Sequence, residues 1–165
     1  MSKLPFDPID RAAELWEEHF GDPVDMKVVT SLMRVQQMLL TRIDALLKPF
    51  GVTFARYEVL VLLTFSRRGS LPLSKIGERL MVHPTSVTNA IDRLEAGGLV
   101  RRVPDTVDRR RTLAELTDAG RDVVIAATKA LQDNGFGLDE LDRRDASQLY
   151  ELLRSMRRAA GDFPR

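Results

Sequence analysis

Five side chains between positions 85 and 93 share one kind of chemistry: Thr85, Ser86, Thr88, Asn89 and Arg93. Hydroxyl, amide and guanidinium groups of this reach donate to phosphate oxygens or read base edges, and an arginine can pair bidentately with guanine. Interleaved with them, Val87, Ile91 and Leu94 recur at intervals of four and three, which puts them on the opposite face of a helix as core residues without contact to nucleic acid. A second group, Arg109, Arg110 and Arg111 beside Asp108, concentrates positive charge in one short segment. Such a run is often only a solvated turn. At the tip of a hairpin it contacts phosphate or a minor groove instead. Asp108 then reads as an orienting partner for one of these arginines rather than as a catalytic acid. Lys75 supplies a further cation for backbone phosphate.

The elements needed to hold these groups can be read around them. LPLSKIGERL (71–80) is a short amphipathic helix, and MVHPTSVTNAIDRLEAGG (81–98) follows after a tight turn. Pro84 suits a first helical position, where the missing N–H costs nothing. Gly97 and Gly98 end that helix, because glycine takes a left-handed C-terminal conformation without a Cβ penalty. His83 stands at the helix start, within reach of a phosphate. Leu99, Val100 and Val103, then Leu113 and Leu116, suit two short strands, with Pro104, Asp105 and Asp108 in the loop between them. Helix, turn, helix and basic hairpin make a winged helix-turn-helix over 53–116, whose second helix fits a major groove.

The segment TSVTNAIDRLEAGGLVRRVPDTVDRRRTLAELTDAG (85–120) resembles the MarR family of bacterial winged-helix regulators. It carries a recognition helix, a double-glycine stop, a wing with the pattern Asp108-x-Arg110, and a Leu-Thr-x-x-Gly start of the next helix at that family's spacing. A weaker resemblance extends over 27–160.

Flanking segments are helical and apolar. Val28, Leu32, Val35, Leu39, Ile43 and Leu46 mark a stripe from 26 to 48, ended by Pro49 and Gly51. The next helix spans 53–66, with Tyr57, Leu60, Val61 and Leu63 inward. Thr117 caps a helix through Val123, Val124, Ala127 and Leu131, which breaks at 134–137. Asp142 caps a last one, lined on one side by Leu149, Leu152, Leu153 and Met156. These stripes exceed what one small winged helix covers, so 26–52 and 117–165 read as a helical dimerisation region, with 1–25 as an added N-terminal helix. The resemblance implies the same layout, first and last helices interleaved about a two-fold axis. The expected fold is therefore mainly α: a winged helix-turn-helix with a two-stranded wing and a dimerisation layer of N- and C-terminal helices.

Composition narrows the alternatives. The chain has no cysteine, which excludes disulfides, thiol redox sensing and cysteine zinc sites. Its histidines, His19 and His83, sit in no metal-spaced cluster, and no metal or cofactor is expected. No apolar run approaches membrane length and no signal peptide opens the chain, so a soluble cytoplasmic protein is expected. Net charge is only +1, but it is −2 over 1–52, +4 over 53–116 and −1 over 117–165. The excess positive charge falls on the winged helix.

A subgroup resemblance points to a ligand. The helix within DRAAELWEEHFGDPVD (10–25) resembles the extra helix of urate-responsive members, which carry a Trp there, an Asp early in the second core helix, an Arg in the recognition helix and an Arg on the strand after it. Trp16 and Arg102 match, and Glu58 stands where the Asp is expected. Ala90 replaces the recognition-helix Arg, which implies a pocket of Trp16, Glu58 and Arg102 for something other than urate. Without the resemblance, Trp16 fits a hydrophobic corner equally well.

These observations lead to a homodimer that binds a pseudo-palindromic operator in double-stranded DNA, as a repressor released by a small aromatic or carboxylate effector. A different class remains open, a protein-interaction module that uses the same fold without specific DNA binding. An enzyme is not expected, because no nucleophile–base pair, phosphate-cradling glycine loop or metal cluster is present in the sequence.

Overall fold

The computed structural model describes residues 4–106, 108 and 110–163. Its elements are α1 (Pro8–Phe20), α2 (Val24–Leu47), α3 (Phe54–Thr64), β1 (Ser70–Pro72), α4 (Leu73–Leu80), α5 (Pro84–Ala96), β2 (Val100–Pro104), β3 (Thr112–Leu116), α6 (Asp118–Asp133) and α7 (Arg143–Ala159), with short 3-10 turns at Lys48–Phe50 and Gly135–Gly137. The chain divides into two compact units, 1–42 and 43–165. None of the helices among the described residues is long and apolar enough to cross a membrane.

In the first unit, Asp7 caps α1 by accepting from the Ile9 N–H at 2.8 Å, and Pro8 occupies the first turn. An ion pair of 2.7 Å joins Asp10 of α1 to Lys27 of α2, and this carboxylate raises the lysine pKa above its ordinary value. Trp16 and Phe20, four residues apart, bring their rings to 5.0 Å. Val28, Val29, Met33, Val35 and Met38 along α2 remain exposed.

The second unit holds the main core. Leu47, Leu60, Leu63, Ile76, Ile91, Leu94, Val100 and Leu131 are fully buried and draw α3, α4, α5, β2 and α6 onto the last turn of α2. Short polar links fix the helix junctions. Asp44 accepts from the Phe54 N–H at 2.7 Å and so caps α3 from another element. Thr117 accepts from the Gly120 N–H and donates to the Gly98 carbonyl at 2.8 Å, tying the start of α6 to the end of α5. Gly120 lies so close to β2 that a Cβ there would sit 2.1 Å from the Leu99 carbonyl oxygen. Asp142 caps α7 through the Asp145 N–H.

Strands β2 and β3 form the expected two-stranded wing, and a third strand joins it. The sheet has three antiparallel strands in the order β1-β3-β2, with Ser70 opposite Glu115 and Arg102 opposite Ala114. Positions 71 and 72 were expected to open a helix; they form an edge strand instead. Pro72 explains the switch. Its extended backbone (φ −58°, ψ 141°) ends the strand and starts α4, and an edge position tolerates a residue without an N–H. Gly98, at φ +70°, makes the left-handed turn that carries α5 into β2.

Candidate nucleic-acid interface

The helix pair α4 and α5 meets at a tight turn in which Met81 adopts a left-handed backbone (φ 54°). His83 then caps α5, its Nδ1 accepting from the Thr85 N–H at 3.3 Å, with Pro84 in the first turn. This start pins α5 by its apolar face: Val87, Ile91 and Leu94 are buried, as their spacing required. The opposite face is free. Thr85, Ser86, Thr88, Asn89 and Arg93 are all exposed on it, and Asn89 and Arg93 border a polar groove with Asp92 and Ala96. The Thr88 hydroxyl donates to the Pro84 carbonyl at 3.1 Å, which commits its proton and leaves the exposed oxygen as an acceptor. Lys75 is exposed on α4 and reaches Glu78 at 2.6 Å, a surface pair that phosphate can outcompete at little cost.

The wing tip is organised by Asp108. Its carboxylate accepts from the Arg110 N–H at 3.1 Å and pairs with the Arg111 guanidinium at 3.1 Å. That leaves the Arg110 side chain exposed and without an ion pair among the described residues. The orienting role expected of Asp108 thus falls on Arg111 and on the backbone of Arg110. Arg109 lies outside the described residues. Behind the tip, Arg101 pairs with Glu115 directly across the β2–β3 ladder, which braces the hairpin.

The ligand set proposed from Trp16, Glu58 and Arg102 meets a different arrangement. Arg102 is engaged within the winged helix: its guanidinium pairs with Glu95 and Asp92 of α5, and its backbone N–H donates to Glu95 at 2.9 Å. These hydrogen bonds hold the Glu95 carboxyl below its usual range, and Asp92 raises the arginine pKa further. Arg102 therefore clamps the wing strand to the recognition helix. Sequence reasoning missed Asp92 and Glu95 because their partner lies on another element. Glu58 instead lines a cavity of about 450 Å³ bounded by α3, α6, Leu80 and Phe136, and Arg102 is not part of its wall. Burial alone raises the Glu58 pKa. Trp16 belongs to the first unit, where its ring meets Phe20.

A helix-turn-helix with an exposed polar second helix, a hairpin ending in arginines and a three-stranded sheet defines a winged-helix DNA-binding protein. Known proteins agree. The MarR family model matches residues 55–112. Sco5413 of Streptomyces coelicolor, a MarR family transcriptional regulator, is 55% identical in a match covering 86% of this chain and 98% of that one, with a TM-score of 0.79. Sco3205 of the same organism, a MarR family regulator solved in complex with DNA, is 27% identical over 83% of this chain and 90% of its own, with a TM-score of 0.73. The transcriptional repressor MdtR of Bacillus subtilis is 42% identical, the match spanning 49% of this chain and 53% of MdtR. The chain belongs to the MarR family of DNA-binding transcriptional regulators.

Proposed function

We propose that the chain works as a homodimeric repressor, which occupies a pseudo-palindromic operator and is released by a small effector. The observation that carries this reading is the exposed polar face of α5, set beside a wing whose Arg110 has no competing ion pair among the described residues. In this reading Thr88, Asn89 and Arg93 read base edges, Thr85, Ser86 and Lys75 position the protein on phosphate, and Arg110 and Arg111 of the wing reach phosphate or the minor groove. Arg109, from its place in the sequence, joins the same group. The complex of Sco3205 with DNA supports DNA as the partner, and the name of MdtR supports repression.

Two half-sites about one helical turn, roughly 34 Å, apart would each take one recognition helix. An effector that binds better to a dimer with a different spacing shifts the population away from the operator, and a tenfold loss of affinity needs about 1.4 kcal/mol of preference. Glu58 belongs to this effector site. Arg102 acts in the coupling, through its grip on α5, rather than as a ligand cation.

Binding-site selection from random duplexes tests the reading, followed by titration of the selected operator at two salt concentrations. Asn89→Ala and Arg93→Ala should narrow the gap between operator and random DNA. Lys75→Ala should weaken both alike and reduce the salt slope by about one unit. If no sequence is selected, the protein-interaction class takes the place of this one.

A further inference from the structure

The cavity between α3 and α6 carries an unbalanced charge. Phe54, Tyr57, Leu62, Leu80 and Phe136 give it an apolar wall, and its volume of about 450 Å³ suits a drug-sized ligand. Glu58 is the one charged side chain in that wall, which contains no lysine, arginine or histidine. Its carboxylate makes no hydrogen bond or ion pair among the described residues, and its half-burial keeps the pKa above the ordinary range. The polar hydroxyls nearby are largely engaged: Tyr57 shares a 2.8 Å hydrogen bond with Thr128, which leaves one proton of the pair, and Thr64 donates to the Leu60 carbonyl.

From this wall we infer that the effector site takes a lipophilic aromatic cation, with Glu58 as its counter-ion. An anion entering here would lose its hydration, find at most the one hydroxyl proton that the Tyr57–Thr128 pair leaves over, and meet a like charge. A cation gains from the partly desolvated carboxylate and from the faces of Phe54, Tyr57 and Phe136. Phe136, part of the cavity wall, is held at φ 54° between two glycines of positive φ, a backbone conformation that a bulky residue rarely adopts. The inference rests on the effector reading given above, and within the aromatic or carboxylate effectors expected from the sequence it sets the carboxylates aside in favour of an aromatic cation.

Tetraphenylphosphonium and tetraphenylborate test it as a pair, because they match in shape and aromatic surface and differ in the sign of charge. Calorimetric titration of the full chain should give at least about tenfold tighter binding of the cation, equivalent to about 1.4 kcal/mol. Glu58→Gln, checked for fold by circular dichroism, should bring the two affinities within about threefold of each other. Leu62→Trp, which adds a ring to the cavity, should weaken both probes. Equal or tighter binding of tetraphenylborate overturns the inference, as does a cation preference that survives Glu58→Gln, or probe binding indifferent to Leu62→Trp. Operator release, followed by fluorescence anisotropy, is read separately. Cation binding that depends on Glu58 without any release overturns the effector reading and leaves the cation site standing.

Discussion

Helices α5 and α7 are built on the same periodicity and end in opposite states. In α5 the apolar face is shut away, with Val87, Ile91 and Leu94 at 2%, 0% and 1% exposure. In α7 the stripe of Leu149, Leu152, Leu153 and Met156 contains no buried residue, and Leu152 and Met156 stay 67% and 50% exposed. Covering a leucine or methionine is worth about 1.5–3 kcal/mol, so a stripe with Leu152 and Met156 in water and Leu149 and Leu153 only partly covered is an apolar surface able to take a partner. Periodicity reports that a helix has an apolar face. What covers that face is a tertiary or quaternary matter, and here the winged helix is complete within one chain while its last helix is not.

The comparison breaks most sharply at the two centres of these faces. Ile91→Ala should destabilise the chain by about 2–5 kcal/mol in urea unfolding, because it opens a cavity in a sealed core. Leu152→Ala, measured under the same conditions at concentrations too dilute for association, should change stability by no more than about 0.5 kcal/mol. Similar losses at both positions would mean that α7 is already packed within the chain.

Deleting residues 142–165 sharpens the same point. The truncated chain should scatter light as a monomer or aggregate. Operator affinity should fall roughly a hundredfold or more, about 2.7 kcal/mol, with much less effect on random DNA, since a single half-site supplies only part of the specific contact energy. A truncated chain that remains a dimer with intact operator binding assigns the partner of α7 to something other than a second copy.

Within the complete half, the wing offers a smaller effect. Arg110→Ala should cost about 1–3 kcal/mol of operator binding, the range for a charge-assisted groove contact, in a protein of unchanged fold. Arg110 is singled out because Asp108 already holds Arg111. Equal losses at 50 and 200 mM salt, followed in Arg110→Ala and the parent, would show that the lost contact is not electrostatic.

Much of the chain was legible in advance. Pro84 and Gly98 in the winged helix, and Thr117 and Asp142 beyond it, sit at the helix ends their chemistry implies, and the exposed polar face of α5 follows from spacing alone. Three features were not legible, each for a physical reason. Strand β1 is only three residues long and ends in proline, too short for any alternation to register. The clamp on Arg102 joins β2 to α5, so neither carboxylate is marked as its partner by sequence spacing. The cavity around Glu58 is walled by α3 and α6, whose hydrogen-bonded pair Tyr57 and Thr128 stands 71 residues apart. The resemblance joins Glu58 and Arg102 in one ligand set, while the geometry puts Glu58 in a cavity wall and Arg102 against Asp92 and Glu95.

That separation leads to a prediction on Arg102. Arg102→Gln keeps a polar, shorter side chain and removes the charge that holds Asp92 and Glu95. Operator affinity should drop by roughly fivefold, about 1 kcal/mol, through loss of wing alignment, and affinity for random DNA should change less. Tetraphenylphosphonium binding should remain as in the parent. An Arg102→Gln chain that reads its operator normally but no longer binds the cation would return Arg102 to the ligand site.

The smallest expected effect comes from Glu58, a carboxylate of the winged helix without a hydrogen bond or ion pair among the described residues. Burial holds the Glu58 pKa above its ordinary value, so the native chain keeps a proton that the unfolded chain has already released. The sign follows: ionised Glu58 is a cost, absent below the unfolded carboxylate pKa of about 4.3, growing as pH rises through the interval up to the raised native value, and constant above it. Glu58→Gln removes this cost. The variant should match the parent near about pH 4 and exceed it near about pH 7.5, by less than about 1 kcal/mol because the side chain is only half-buried. Urea unfolding of both proteins at the two pH values measures the gap. A difference that is the same at both would show that the Glu58 carboxylate is as well hydrated in the native chain as in the unfolded one, and the cavity would lose the desolvated charge on which its preference for a cation depends.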